Sequence, residues 1–385
     1  MIEYPNGIQS KLPAVGTTIF TTMSAMSREY NAVNLSQGFP DFEIDERLRE
    51  LTLESVSGNH HQYAPMQGLP KLRSVLVEKL KRSYNIDYDV DSEITVTAGA
   101  TQAIYTAISA FIKEDDEVII FTPAYDCYAP AITLNGGKPI YCQLTPETYS
   151  IDWEMVKKLV SNKTKMIIIN TPHNPTGAIL SASDLKELEK IVVGNEIIVL
   201  SDEVYEHIIF DGKRHESVCL YPDLAKQSMA VYSFGKTFHV TGWKLGFIVG
   251  PEALMREFRK VHQFNVFCCS HPLQEAVANY IDEKSDWNEL GNFYQAKRDM
   301  FVDGISSSRF ELLPCSGTYF QLLSYKGISE ESDVSFAERL TKEFGVASIP
   351  VSVFFNNKRD DKVLRFCFAK KEETLASALE LLNKI

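Results

Sequence analysis

The 385-residue chain has no Gly-x-Gly and no Cys-x-x-Cys. The first absence excludes the usual glycine fingerprint of dinucleotide-binding folds. The second removes the commonest zinc and dithiol patterns, and no metal site is expected. The seven cysteines are scattered, apart from the neighbours Cys268 and Cys269, so buried reduced thiols are expected and not a disulfide framework. Long apolar runs are missing as well: the longest span about five residues, against the ~20 needed to cross a bilayer. Basic residues are outnumbered, 39 Lys+Arg against 51 Asp+Glu, for a net charge of −12, which argues against a nucleic-acid partner. The start, Met1-Ile-Glu-Tyr-Pro-Asn-Gly, shows no basic stretch followed by an apolar one, and a cytoplasmic location is expected. Any anionic ligand must therefore meet a few local cations.

What is present is a globular composition, 44% apolar, in a chain long enough for a large domain and a smaller one. Short apolar runs read as strands at 94–97, 117–121, 139–143, 166–170, 197–202, 229–234 and 245–249. Amphipathic helices at 101–112, 152–161 and 183–193 lie between several of them. This alternation predicts an α/β fold with a mostly parallel seven-stranded sheet between helices. The pattern turns helical from Pro251 to about residue 305. It then becomes mixed, with strands near Glu311, Tyr319, Val346 and Leu364 and helices at 333–344 and 372–384. The reading is a large domain over 46–285, a smaller α+β domain over 286–385, and a turn-rich segment 1–45 packed with the smaller domain.

Open parallel sheets bind ligands beyond the carboxyl ends of their strands. Here those ends carry Gly99-Ala100-Thr101, Pro123-Ala-Tyr125, Asn170 to Asn174, Asp202 with Tyr205, and Ser233 to Lys236. Small residues before a helix let backbone N–H groups approach an anion, aided by the helix dipole, although a plain capped turn has the same look. A strand-end carboxylate such as Asp202 needs a partner, either a cationic ring nitrogen or a basic neighbour. Asn174, between Pro172 and Pro175 and before Gly177, sits in a stiff turn that presents its amide. His173 beside it reads as a surface histidine. Arg365, inside the apolar run Val363-Leu-Arg365-Phe-Cys-Phe, calls for an acid, either an internal one or a substrate carboxylate.

The densest segment is Ser233-Phe-Gly-Lys236-Thr-Phe-His-Val-Thr-Gly242-Trp-Lys244. A lysine held rigidly in a pocket loses its proton easily and can do carbonyl chemistry, which leaves Lys244 to bind an anion. Gly235-Lys236-Thr237 also matches the tail of a phosphate-binding P-loop. The first glycine of that loop falls at position 230, which is Ala230, and the acidic strand precedes the lysine instead of following it.

Taken in order, these motifs, with Leu35-Ser-Gln-Gly38-Phe-Pro-Asp and Tyr63-Ala-Pro-Met-Gln-Gly68, resemble the fold type I pyridoxal-phosphate aminotransferases of class I/II. Within the family they look most like the branch of methionine and kynurenine aminotransferases. Many members have serine before the lysine and arginine at the position of Lys244; Gly235 and Lys244 match this branch. The resemblance implies pyridoxal 5'-phosphate as cofactor and Lys236 as its covalent anchor and proton shuttle. Asp202 would face the pyridine nitrogen, Asn174 and Tyr205 the phenolic oxygen, and Tyr125 would stack on the ring. Gly99, Ala100, Thr101, Ser233 and Lys244 would hold the phosphate. It also implies a homodimer in which Tyr63 reaches the neighbouring subunit's phosphate. Arg365 would clamp the substrate carboxylate, assisted by the backbone near Gly38 and by Asn174; Tyr125 would border the substrate. The implied activity is transfer of the α-amino group of a large neutral amino acid (methionine, glutamine, aromatic or kynurenine-like) to a 2-oxo acid. A cysteine-S-conjugate β-lyase on the same scaffold is the alternative. Phe264, Phe267, Phe354, Phe355, Tyr4 and Ile19 are candidates for an apolar side-chain pocket. Arg28, Arg259 and Arg298 stay open as a second clamp.

Overall fold

Runs such as Met166-Ile-Ile-Ile suit strands because β-branched side chains fill a pleated surface. Being apolar at every position, they need cover on both faces. In the computed structural model, which describes residues 7–284 and 288–385, such runs build one seven-stranded sheet. Its order is Ile94–Thr97, Gly246–Val249, Ser228–Ser233, Ile198–Asp202, Thr164–Asn170, Glu117–Thr122 and Lys138–Gln143. Alternate residues feed two cores. Ile120, Ile168, Leu200 and Val231 pack under helices Ala100–Phe111 and Glu252–Asn265. Ile119, Ile167, Val199 and Ala230 pack against Pro70–Tyr84, Ala182–Val192 and His271–Glu283. Each fully buried Ile or Leu contributes about 1.5–3 kcal/mol, so this double layer holds the strand ends rigidly.

All neighbours in the sheet are parallel except for Gly246–Val249, which runs antiparallel to both Ile94–Thr97 and Ser228–Ser233. The reversal positions the site. Gly246 pairs with Thr97 on one side and Ser233 on the other. The residues just before it, Lys244 included, therefore emerge at the edge where the parallel strands end.

A third core joins Met23 and Leu35 to Phe301, Leu323, Phe336, Phe366 and Leu375. It surrounds a four-stranded antiparallel sheet of Ile349–Pro350, Val363–Cys367, Phe320–Ser324 and Glu311–Leu312. Val33–Asn34 pairs in parallel with Val346–Ala347, tying the early chain to the late one. The first 45 residues are less turn-rich than expected, because Ile19–Glu29 is a helix capped by Thr18. Ile19, Phe20, Met23 and Met26 face the third core at helical spacing, with Met23 and Ser27 fully buried. This face packs against helix Asp333–Phe344, and such tertiary packing supplies most of the stability of a short helix. Among the described residues no helix is long and apolar enough to cross a membrane.

Candidate active site

Three parallel strands end side by side at one edge. Asn170 lies opposite Asp202 in the register, and Ser233 ends the next strand. They border a cavity of about 150 Å³. Gly99, Ala100 and Thr101 line its far wall, with Tyr125 beside them. Asn174, Tyr205, Lys236 and Lys244 close it from the other strands. The structure thus brings together the strand-end residues expected from sequence.

The anion cradle forms at the start of helix Ala100–Phe111. Gly99, at φ 80° and ψ 170°, turns the chain into the helix, and no side chain caps the exposed N–H groups. A Cβ at Gly99 would lie 3.6 Å from Lys244 Nζ, so a bare backbone keeps the lysine and the helix end facing the same space. Lys244 itself adopts left-handed geometry, φ 52°, between Thr241–Trp243 and the reversed strand. The Tyr125 hydroxyl lies 3.3 Å from Thr101 Oγ1.

Asp202 is 4% exposed and has no ion-pair partner among the described residues. The Tyr128 hydroxyl donates to Oδ2 at 2.5 Å. Burial pushes the carboxyl up to about 6, against the opposing pull of Tyr128, the Val204 amide and Lys236. A buried carboxylate held in this way suits a cationic ring nitrogen. Asn170 Nδ2 donates to the Asp202 carbonyl at 2.8 Å, and Asn170 Oδ1 accepts the Asn174 amide at 2.8 Å, so this amide turn is braced against the aspartate strand. His173 is buried, not at the surface as its sequence context suggested, with Nδ1 at 2.7 Å from Thr176 Oγ1.

Lys236 sits in the one-turn helix Phe234–Thr237 directly after its strand. Burial pulls its amine down to about 8, with Arg365 and Lys244 adding to the effect and Cys367 and Asp202 opposing it. Its Nζ donates to the Tyr319 hydroxyl at 2.6 Å and to the Gly38 carbonyl at 3.3 Å. Tyr205, 2% exposed, places its ring 5.5 Å from the same nitrogen. Burial raises the Tyr205 hydroxyl above its usual range.

Arg365 is 1% exposed and meets no carboxylate within ion-pair distance among the described residues. Nη1 donates to Asn174 Oδ1 at 2.8 Å and Nη2 to the Ser36 carbonyl at 3.2 Å, while Nε has no partner. Three rings surround the guanidinium: Phe320 at 3.9 Å, Phe354 at 5.3 Å and Phe20 at 5.4 Å. An uncompensated buried cation with spare N–H groups suits a substrate carboxylate.

Other expectations need correction. Phe355 is core, 2% exposed and covered by Arg359, because the Val351–Phe354 turn rotates it away from Arg365. Phe264 and Phe267 are 89% and 48% exposed and do not line the cavity in this protomer. Ile19 packs against the third core, and Tyr4 lies outside the described residues. Arg298 is committed to Asp211 and Asp299, and Arg259 to Thr95 and two backbone carbonyls, so neither is free to clamp a second carboxylate. Tyr63 is 80% exposed, set edge-on to Phe267, and does not line its own chain's cavity. Tyr319, Phe20 and Tyr128 carried no sequence signal of a role; each is one aromatic among many until the fold aims it.

An uncapped helix end facing a lysine, an unpaired buried carboxylate and a depressed amine converge on one small cavity. That donor set fits pyridoxal phosphate: a phosphate, a protonable ring nitrogen and a carbonyl. The chain belongs to the class I and II aminotransferases, whose family pattern matches residues 30–382. That family generally uses pyridoxal phosphate, and its members exchange amino groups between amino acids and 2-oxo acids. The protein is an amino-acid aminotransferase of fold type I. It is 47% identical to the methionine aminotransferase of Escherichia coli (strain K12), across 98% of each chain. It is 31% identical to kynurenine–oxoglutarate transaminase 1 of Rattus norvegicus, across 97% of each. A solved Escherichia coli structure described as having a methionine aminotransferase function superposes with TM-score 0.97 at 46% identity, covering 99% of this chain and all of that one.

Proposed function

We propose that the protein is a homodimeric, pyridoxal-phosphate-dependent aminotransferase for large neutral amino acids, with methionine, glutamine and aromatic or kynurenine-like donors as candidates. One observation carries the reading: the Lys236 amine, pulled to about 8 by burial, opens onto the same cavity as Asp202 and the Gly99–Thr101 cradle. The names of the two relatives support the donor class. The rings of Phe20 and Phe354 beside Arg365 favour apolar over acidic side chains.

Bound pyridoxal phosphate supplies a reactive carbonyl and a ring that accepts electrons from substrate Cα. The Gly99, Ala100 and Thr101 backbone, Ser233 and Lys244 hold the phosphate. Asp202 keeps a proton on the ring nitrogen, because a buried carboxylate and a buried cation stabilise each other's charge. Asn174 and Tyr205 would bond the ring's phenolic oxygen, and Tyr125 would stack on the ring. Arg365 binds the substrate carboxylate beside Asn174 and the Gly38 segment. Lys236 would anchor the cofactor, and its free amine, pulled down by burial to about 8, would be the general base for the Cα proton. Tyr63, exposed beside Phe267, would serve the partner's phosphate site in the dimer. We place the cofactor domain at 46–285 and the smaller domain at 286–385, with the described part of 1–45 packed on the latter. The seven free cysteines support a reducing, cytoplasmic setting.

Borohydride reduction followed by peptide mapping tests the anchor: the label is expected on Lys236, and a label on another residue rejects the assignment. A panel of about twenty amino acids against a few 2-oxo acids ranks the donors, and preference for aspartate or glutamate would reject the donor class.

A further inference from the structure

Tyr319 is absent from every motif discussed above, yet its hydroxyl lies closest to the reactive amine. The residue is fully buried. Its single proton goes to the Gly38 carbonyl, 2.5 Å away, which leaves the oxygen lone pairs facing Lys236 Nζ at 2.6 Å. The ring is held as well: Tyr205 meets it edge-on at 5.1 Å, and its backbone carbonyl accepts the Phe368 amide at 3.0 Å. Gly38 is pinned from the other side, because a Cβ there would fall 2.8 Å from Phe320 Cζ. Gly38 and Tyr319, the two members that face the amine, are therefore held in place.

We propose that Tyr319 is a positioning residue: its hydroxyl, locked onto the Gly38 carbonyl, holds the free amine of Lys236 in one orientation, with the nitrogen lone pair left available for reaction. The proposal rests on the reading of Lys236 as the amine that does the chemistry. A neutral acceptor suits this task. A carboxylate at the same place would fix the amine equally well but would keep it protonated. Burial raises the Tyr319 hydroxyl well above its usual range, so it stays neutral wherever the enzyme works. The other charged or titratable groups acting on the amine are Cys367, Arg365, Lys244 and Asp202, with Tyr205 beneath it. Tyr319 and Phe320 then act as a pair. The first holds the lysine, and the second stacks on Arg365 at 3.9 Å, so one strand entry sets the spacing between the amine and the carboxylate clamp.

The test is Tyr319→Phe, which removes the hydroxyl and keeps the ring, so folding checked by circular dichroism is expected to be unchanged. Two readouts are taken. In the loaded enzyme, kcat is expected to fall about tenfold with the KM of the amino donor nearly constant, as for one lost hydrogen bond to a charged or reactive group. In the cofactor-free full chain, the pH dependence of Lys236 carbamylation by cyanate, followed by peptide mass, reports the amine directly. Losing an acceptor disfavours its charged form, so its apparent pKa is expected to move down by about half a unit to one unit. A kcat within twofold of the parent together with an unmoved carbamylation profile overturns the proposal. A Lys236→Ala control separates the two readings: if that variant turns over normally, the role of Lys236 itself falls, whatever Tyr319 does.

Discussion

Arg365 Nη1 donates to Asn174 Oδ1 at 2.8 Å, a bond between residues 191 positions apart. It joins an inner strand of the antiparallel sheet to the rigid Asn-Pro-Thr-Gly turn at the edge of the parallel one. The proposed substrate clamp and the proposed cofactor turn thereby share an amide, and the Phe320 ring lies 3.9 Å from the guanidinium carbon.

Replacing Arg365 by lysine keeps a positive charge but loses the planar fork. The KM for the amino donor is expected to rise by about 10²-fold, with a smaller change in kcat. Steady-state kinetics with a neutral amino acid decides it. An unchanged KM would mean that the carboxylate binds elsewhere.

Asp202 predicts a separation of stability from activity. Its folded pKa, about 6, lies above the ordinary 3.8, so the stability linked to it is present below pH 3.8 and lost as pH rises through 6. Asp202→Asn removes that loss while still accepting the Tyr128 hydroxyl. The cofactor-free variant is expected to melt at or above the parent at pH 7, with the difference shrinking toward pH 4. Its aminotransferase rate is expected to drop by about 10² or more, because the ring nitrogen loses its charged partner. A variant that melts below the parent at pH 7 would contradict the strained-carboxylate account.

Gly99→Ala places a side chain at φ 80°. Strain of about 1–3 kcal/mol is expected, because φ 80° with ψ 170° is a region essentially reserved to glycine. The new methyl, 3.6 Å from Lys244 Nζ, crowds the anion cradle without blocking it. Cofactor retention through gel filtration is therefore expected to weaken more than the cofactor-free melting temperature falls. Equal retention would place the phosphate elsewhere.

Acid should unfold the protein through its histidines. Burial depresses His173, His239 and His262 to about 4. The unfolded chain takes up these protons near pH 6.5 and the folded one does not, so the stability is present above 6.5 and is lost as pH falls toward 4. For fully enclosed His173 the loss is on the order of 3 kcal/mol. His207, also depressed by burial, adds to the loss, while Asp126, Asp202 and Asp333, whose carboxyls burial raises, work in the opposite direction as pH falls. Urea midpoints measured from pH 7 to 4.5 should decline steadily, and a flat profile would refute the assignment.

Strand ends were legible because each apolar run stops at a residue too polar to bury without a partner. Asp202 was picked out in this way, Gly99 as a small residue before a helix, Asn174 by its stiff proline turn and Lys236 by its glycine- and lysine-dense segment, and the cavity brings all four together. Arg365 was visible for the opposite reason, as a cation inside an apolar strand. Tyr319 was not legible. Nothing in Gly317-Thr-Tyr-Phe320 separates a tyrosine that holds a lysine from one that fills a core, since both are buried aromatics at a strand entry. The phenylalanines misled for the same reason: apolar identity does not say whether Phe355 faces a ligand, the core or, like Phe264, the outside.

Sequence alone determined the class of fold, the chemistry available at each strand end and the order of the motifs, because periodicity and the desolvation penalty of polar groups act locally. Tertiary structure decided which of these groups meet. The reversed strand Gly246–Val249 carries Lys244 to the helix end at Gly99, and the antiparallel sheet brings Tyr319 and Arg365 over the Lys236 strand. Strand direction and the approach of two sheets follow from how whole faces pack together, and no single segment encodes them.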